Sequence, residues 1–255
     1  MGDLGKKKVA LVTGAASGIG AALVRQLTAD NCEVLGVDLN EEGLTKVAAE
    51  TGCEILTGDI SDQEFNETAV TNVSDLFGSL DLLFLNAGIL GRKIELQIND
   101  LTPDELDPSQ YTKVRAINFD SVVFGTLAAA PLMAANNGGS IIATASIAGL
   151  AAWNRDPFYT ATKHAVVGWV RGIAPALHAQ RISINAICPG GVATPLVGID
   201  RLQSANPNLL EPEQVAKAMI DTALEEGTGK AFTVKADHEP VRQEYHFTQI
   251  EGFPV

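Results

Sequence analysis

The 255-residue sequence predicts one α/β domain, a doubly wound sheet of about seven parallel strands with helices on both faces. Three observations carry that expectation. Short β-branched runs alternate with helical stretches from Lys8 to Val234. The runs are continuously apolar, as strands covered on both faces must be, whereas a half-exposed strand would alternate. The first run also passes through a glycine-rich turn directly into a helix, and neither a low-complexity linker nor an internal repeat divides the chain.

The elements follow in order. Residues 8–13 read as the first strand and 19–30 as the helix that the glycine-rich turn opens. Strands at 33–38 and 54–57 enclose a helix at 41–50, and a helix at 62–77 leads to the strand at 82–86. Residues 91–108, with two prolines and five acidic residues, read as a surface loop. A longer helix from about 109 to 133 precedes the strand at 140–144. Pro157 introduces the next helix, because its fixed φ suits a first helical turn. Pro175, late in that helix, frees a backbone carbonyl and predicts a bend. A strand at 182–188, a helix at 212–225 and a strand at 230–234 complete the alternation, and 235–255 form a tail of different character.

Composition narrows the function classes. With 46% hydrophobic but only 5% aromatic residues, the core is built of Ala, Val, Ile and Leu. A formal charge of minus 13 disfavours nucleic acid and anionic membrane as partners. No uninterrupted apolar run approaches the roughly 18 residues of a membrane span, and no apolar signal core follows the first lysines. Cys32, Cys53 and Cys188 are odd in number and lack metal-ligand spacing, so they read as buried thiols of a cytoplasmic protein, with no metal expected.

Chemistry concentrates in three places. Tyr159 and Lys163 stand four residues apart on one helical face, and a neighbouring ammonium favours phenolate over phenol. That spacing makes Tyr159 a candidate general acid/base. Ser146, at the end of the 140–145 run, is placed to bond the oxygen on which Tyr159 acts. The turn Gly14-Ala15-Ala16-Ser17-Gly18-Ile19-Gly20 lets backbone approach a pyrophosphate at a helix N-terminus. Asp38, at the end of the second strand, is placed to accept both ribose hydroxyls of an adenosine and to repel a 2′-phosphate. No cation at Ser17 or Leu39 offsets that repulsion, so the expected cofactor is NAD and not NADP.

These motifs together resemble the short-chain dehydrogenase/reductase family, in its common subgroup of about 250 residues with a Rossmann-type domain. The Gly-x-x-x-Gly-x-Gly spacing is similar to that family's, and the resemblance runs from about residue 8 to 234. Asp59 and Ile60 resemble its adenine-contacting pair, and Asn86, Ala87 and Gly88 the segment that closes its cofactor cleft. Pro189, Gly190, Val192 and Thr194 fall in the segment that the resemblance assigns to the nicotinamide carboxamide. Asn118, Ser146, Tyr159 and Lys163 match its catalytic tetrad. The resemblance implies interconversion of a secondary alcohol and a ketone, with Lys163 acidifying Tyr159 and binding the nicotinamide ribose. It also implies that Asn118 anchors a water leading from Lys163 to solvent. A catalytically inactive NAD-binding scaffold is the competing reading, which the intact tetrad disfavours.

Two further expectations are thinner. The resemblance implies that the segments after Ser146 and Thr194 flank the nicotinamide; their side chains Ala148, Leu150, Trp153, Leu196, Val197 and Ile199, with Ser146, are mostly apolar, so the expected substrate is an uncharged hydrophobic alcohol or ketone. Arg155 and Arg201 are the candidate anchors for a substrate carboxylate but read first as solvated surface residues, and His238 and His246 read as exposed tail histidines before functional ones. Ala161, Ala165, Gly168 and Gly172 form a narrow stripe nearly opposite Tyr159, which suits close packing against a second copy in a homodimer or homotetramer. The alternative for that stripe is packing on the protein's own sheet.

Overall fold

In the computed structural model, residues 7–91, 101–196, 209–238 and 241–248 are described. The first half builds β1 (Val9–Thr13), α1 (Gly18–Ala29), β2 (Glu33–Asp38), α2 (Glu41–Thr51), β3 (Glu54–Thr57), α3 (Gln63–Phe77) and β4 (Leu82–Leu85). The second half builds α4 (Pro108–Arg115), α5 (Ser121–Ala135), β5 (Gly139–Thr144), α6 (Pro157–His178), β6 (Ile182–Pro189), α7 (Pro212–Leu224), β7 (Ala231–Val234) and β8 (Arg242–Glu244). The strands form one sheet in the order β3-β2-β1-β4-β5-β6-β7-β8.

The first seven strands are parallel, as expected. The eighth was not foreseen. β8 arises from the tail and pairs antiparallel with β7, Thr233 opposite Gln243. Arg242 binds Glu225, Lys230 binds Glu244 at 2.9 Å, and Phe247 packs under the Arg171 guanidinium at 3.9 Å from its ring centre.

Continuous apolar strands arise because successive side chains enter different cores. Val9 and Leu11 of β1 join α3, α5 and α6 on one face, while Ala10 and Val12 join α1, α2 and α7 on the other. The helices start and stop where local chemistry dictates. Asn40 accepts from Gly43 N–H at 3.1 Å and Asp62 from Glu64 N–H at 3.0 Å, while Gly52 and Gly78 end α2 and α3 in left-handed conformation.

The predicted long helix is present but not regular. Between α4 and α5, Ala116–Asp120 forms a π-helical segment with Asn118 buried inside it. The rod Pro108–Ala135 is long enough to span a membrane, and an 18-residue stretch of it reaches a mean hydropathy of 1.4. Yet Val122, Thr126, Ala129 and Met133 are buried, so much of its apolarity faces the protein's own core. Farther on, α6 continues through Pro175 to His178.

Candidate active site

The carboxyl ends of β1, β2, β4, β5 and β6 open into a cavity of about 510 Å³. It lies where the winding reverses between β1 and β4, the position that sheet topology reserves for a ligand.

The glycine-rich turn shapes the middle of this cleft. Gly14 has φ 70, and a Cβ on it would lie 2.9 Å from the Ala87 Cα. A Cβ on Gly20 would lie 1.9 Å from the Gly14 carbonyl oxygen, so the turn folds against the helix only with glycine there. Gly14, Ser17, Gly18 and Ile19 line the cleft; Gly20 lies behind, making that packing possible. At the N-terminus of α1, Ser17 makes no side-chain cap bond and no acidic residue occupies the first turn. The opening N–H groups and their dipole therefore favour an anion. Thr13 ties this turn to the opposite wall by accepting from the N–H groups of Asn86, at 3.0 Å, and Ala87, at 3.3 Å.

Asp38, Asp59 and Ile60 stand at one end of the cleft with Leu39 and Gly58. The Asp38 carboxylate accepts from Ala16 N–H at 3.0 Å and Asn40 N–H at 2.9 Å. Asp38 therefore fixes the glycine-rich turn as well as facing the cleft. Asn86, Ala87 and Gly88 form the opposite wall, and Pro189, Gly190, Val192 and Thr194 close the other end.

Ser146, Tyr159 and Lys163 converge at that far end. Ser146 lies just beyond β5 and begins the short turn Ile147–Gly149, its hydroxyl accepting from Ala148 N–H at 3.1 Å. The Tyr159 phenol is pushed up to about 12, chiefly by burial; the bonded Ser146 hydroxyl opposes the rise, and Asp156 and Cys188 add to it. Lys163, only 2% exposed, donates to the Thr144 carbonyl at 2.6 Å, and burial pulls its ammonium down to about 8. In this arrangement burial outweighs the neighbouring charge at the phenol. The ammonium sits 5.6 Å from the phenol ring centre, is held on Thr144, and is itself weakened by the same burial that weakens phenolate.

A Cβ on Gly88 would lie 3.4 Å from both Lys163 Nζ and the Oδ1 of Asn118, which stands behind the cleft wall. Its side chain is wholly buried, accepts from Ile89 N–H at 2.8 Å, and donates to Ile89 O at 2.9 Å and to Thr162 Oγ1 at 3.3 Å. It braces the wall formed by Gly88, Ile89 and Leu90 and does not line the cleft, whereas its neighbour Ile117 does.

Of the expected pocket residues, Ala148, Trp153 and Leu196 line the cleft beside Ser146. Trp153 meets the Tyr159 ring edge-on, centres 5.8 Å apart. Leu150 is not in the cleft wall and packs, partly buried, against the core instead. Val197, Ile199 and Arg201 lie outside the described residues, as does much of the 91–108 loop. Arg155 is half-buried and outside the cleft wall. Sequence reasoning missed Ile89, Leu90, Ile117 and Ile147, which enlarge the apolar wall. It also missed Asp156, whose place before Pro157 reads only as a helix cap. Cys32, Cys53 and Cys188 are free thiols, with Cys32 only half-buried.

A parallel sheet in this order, with a cleft at its winding switch, is the nucleotide-binding Rossmann type. The chain belongs to the short-chain dehydrogenase family, whose model matches residues 8–204. It is 35% identical to a mitochondrial borneol dehydrogenase of Lavandula x intermedia, over 86% of this chain and 84% of that one. It is likewise 35% identical to levodione reductase of Leifsonia aquatica, over 83% and 77%. Its structure resembles that of a 3-ketoacyl-(acyl-carrier-protein) reductase from Brucella melitensis complexed with NADH. That match has a TM-score of 0.83 and 25% identity, covering 92% of this chain and 99% of the other. The relatives are dehydrogenases and reductases acting on alcohols or ketones, and this chain is an oxidoreductase of that family.

Proposed function

We propose that the protein is an NAD-dependent oxidoreductase that interconverts a secondary alcohol and a ketone, with Tyr159 as general acid/base. The observation that carries this reading is the meeting of Tyr159, Ser146 and Lys163 at one end of a cleft whose other end holds Asp38. When bound, NAD supplies a hydride acceptor at its nicotinamide. The residues fit such a group: the α1 N-terminus faces the cleft for the pyrophosphate, and the Asp38 carboxylate stands where the adenosine ribose belongs.

In alcohol oxidation Tyr159 takes the hydroxyl proton as phenolate, and the Ser146 hydroxyl donates to the substrate oxygen. Lys163, freed from the Thr144 carbonyl, serves the ribose hydroxyls and steadies the phenolate. In reduction the phenol donates instead. Ile89, Leu90, Ile147, Trp153 and Leu196 offer the reacting carbon an apolar surface. An uncharged hydrophobic substrate fits that surface, and an alicyclic one accords with the borneol and levodione of the relatives' names. A homodimer or homotetramer in the cytoplasm belongs to the same proposal.

The test is turnover of NAD with alicyclic secondary alcohols and of NADH with the matching ketones, with Tyr159→Phe and Asp38→Ser alongside. The phenylalanine variant is expected to lose at least about a hundredfold in kcat while binding NADH normally. The serine variant should lose at least about tenfold of its preference for NAD over NADP. Because burial holds the phenol protonated near neutrality, oxidation rises with pH, whereas reduction is greatest where the phenol keeps its proton and falls at high pH. Substantial turnover by Tyr159→Phe would overturn the assignment of the acid/base.

A further inference from the structure

We propose that Asp156 is a positioning residue, its carboxylate locking the first turn of α6, and Tyr159 with it, to the cleft wall at residues 88–91. This rests on the reading of Tyr159 as the acid/base. Asp156 is 1% exposed, and both of its oxygens are used. Oδ1 accepts from Tyr159 N–H at 3.0 Å, and Oδ2 from Gly91 N–H at 2.7 Å.

The first bond is an ordinary helix cap, for which serine or asparagine would serve. The second joins α6 to a segment 65 residues earlier in the chain, and a cap alone does not call for it. Taking a carboxylate out of water is costly unless its oxygens are bonded. Two N–H donors converging from different segments match an ionised carboxylate, which offers acceptors only. Asparagine would turn an amide donor toward one of those N–H groups.

Gly91 is shaped for this contact. A Cβ there would lie 2.9 Å from Asp156 Oδ1 and 3.2 Å from the Phe158 Cβ. Two residues earlier, Ile89 is held by both backbone groups to Asn118. The wall formed by Gly88, Ile89 and Leu90 is thus clamped at both ends, by Asn118 from the π-helical segment and by Asp156 from α6. The Asp156 clamp bonds the tyrosine N–H directly, whereas Asn118 reaches its carbonyl through the Thr162 hydroxyl. It sets the spacing between the phenol on one side of the substrate and the apolar wall on the other.

The carboxylate also acts on the phenol through its charge. The groups facing Tyr159 are Ser146 after β5, Cys188 on β6, Lys163 one turn along α6, and Asp156; of these, Asp156 raises the phenol and Ser146 lowers it. Neutralising Asp156 therefore eases ionisation of Tyr159.

The experiment compares Asp156→Asn, Asp156→Ser and Gly91→Ala in the full chain. Serine keeps the cap and loses the Gly91 bond, so the variant folds even where alanine would not. The expected result is kcat for alcohol oxidation lower by about tenfold to a hundredfold in Asp156→Ser and Gly91→Ala, with NADH affinity within about threefold. In Asp156→Asn the acidic limb of the kcat profile should move to lower pH. Phenolate absorbance, taken as a difference against Tyr159→Phe, should show the same downward shift without any substrate. If Asp156→Ser keeps kcat within about threefold and loses only thermal stability, the residue is a cap and the proposal fails. If the wild type turns over no alcohol with NAD, the proposed function fails separately, and exchange of the Gly91 amide hydrogen decides the inference: an unchanged exchange rate in Asp156→Ser overturns it.

Discussion

Burial sets the character of single residues in the cleft more than charge pairing does. Lys163 illustrates the stability cost. Folded, it gives up its proton near pH 8; unfolded, near the ordinary 10.5. Between those values the unfolded chain binds more protons than the folded one, so stability rises with pH across that window. Below pH 8 both states are protonated, and above 10.5 neither is, so the contribution is flat outside it. The wild type is therefore expected to gain up to about 3 kcal/mol relative to Lys163→Met between pH 8 and 10.5. Urea unfolding of both proteins at several pH values reads this directly, and parallel curves would remove the argument. Sequence spacing showed that Tyr159 and Lys163 share a face, because helical periodicity is local. It did not show their ionisation, because that depends on how deeply the finished fold buries them.

Among the elements, legibility followed the same rule. The glycine-rich turn, Asp38 and the first seven strands were readable because each is encoded by neighbours in the chain. The π-helical segment around Asn118 was not, since Ala116–Asp120 reads as uninterrupted helix and only the contact with Ile89 distinguishes it. β8 was unreadable for another reason: Arg-Gln-Glu has no apolar pattern, and the edge of β7 makes it a strand. The bonds Lys235 N–H to Val241 O and Tyr245 N–H to Ala231 O put Gln243 in a bonded pair with Thr233. Gln243→Pro should remove a donor from that pair, lowering stability by about 1–3 kcal/mol and leaving kcat unchanged, as thermal melts and assays would show. An unaltered melt would mean that β8 adds nothing to the edge it covers.

At the scale of the molecule, the small-residue stripe does not pack on the protein's own sheet. Ala161, Gly168 and Gly172 are exposed and Ala165 half-buried, and a Cβ on Gly168 or Gly172 would meet nothing within 4 Å. α6 uses its other face, with Val166 and Val170, for the core. The stripe is thus free for the proposed second copy. Light scattering at micromolar concentration is expected to give a dimer or tetramer, and Gly168→Trp a smaller species; a monomeric wild type would end the proposal. The sheet order has a further consequence, for the growing chain. β1 lies between β2 and β4, so β1, β2 and β3 can pair as soon as residue 57 has been made, but the other edge of β1 stays open until residue 82 arrives. Through that interval Val9–Thr13 presents an apolar edge that another nascent chain can pair with. Asp81, which accepts from Val9 N–H at 2.8 Å, is the first side chain to reach that edge, just ahead of β4. During synthesis on the ribosome, that edge is expected to stay open to intermolecular pairing until Asp81 and β4 dock.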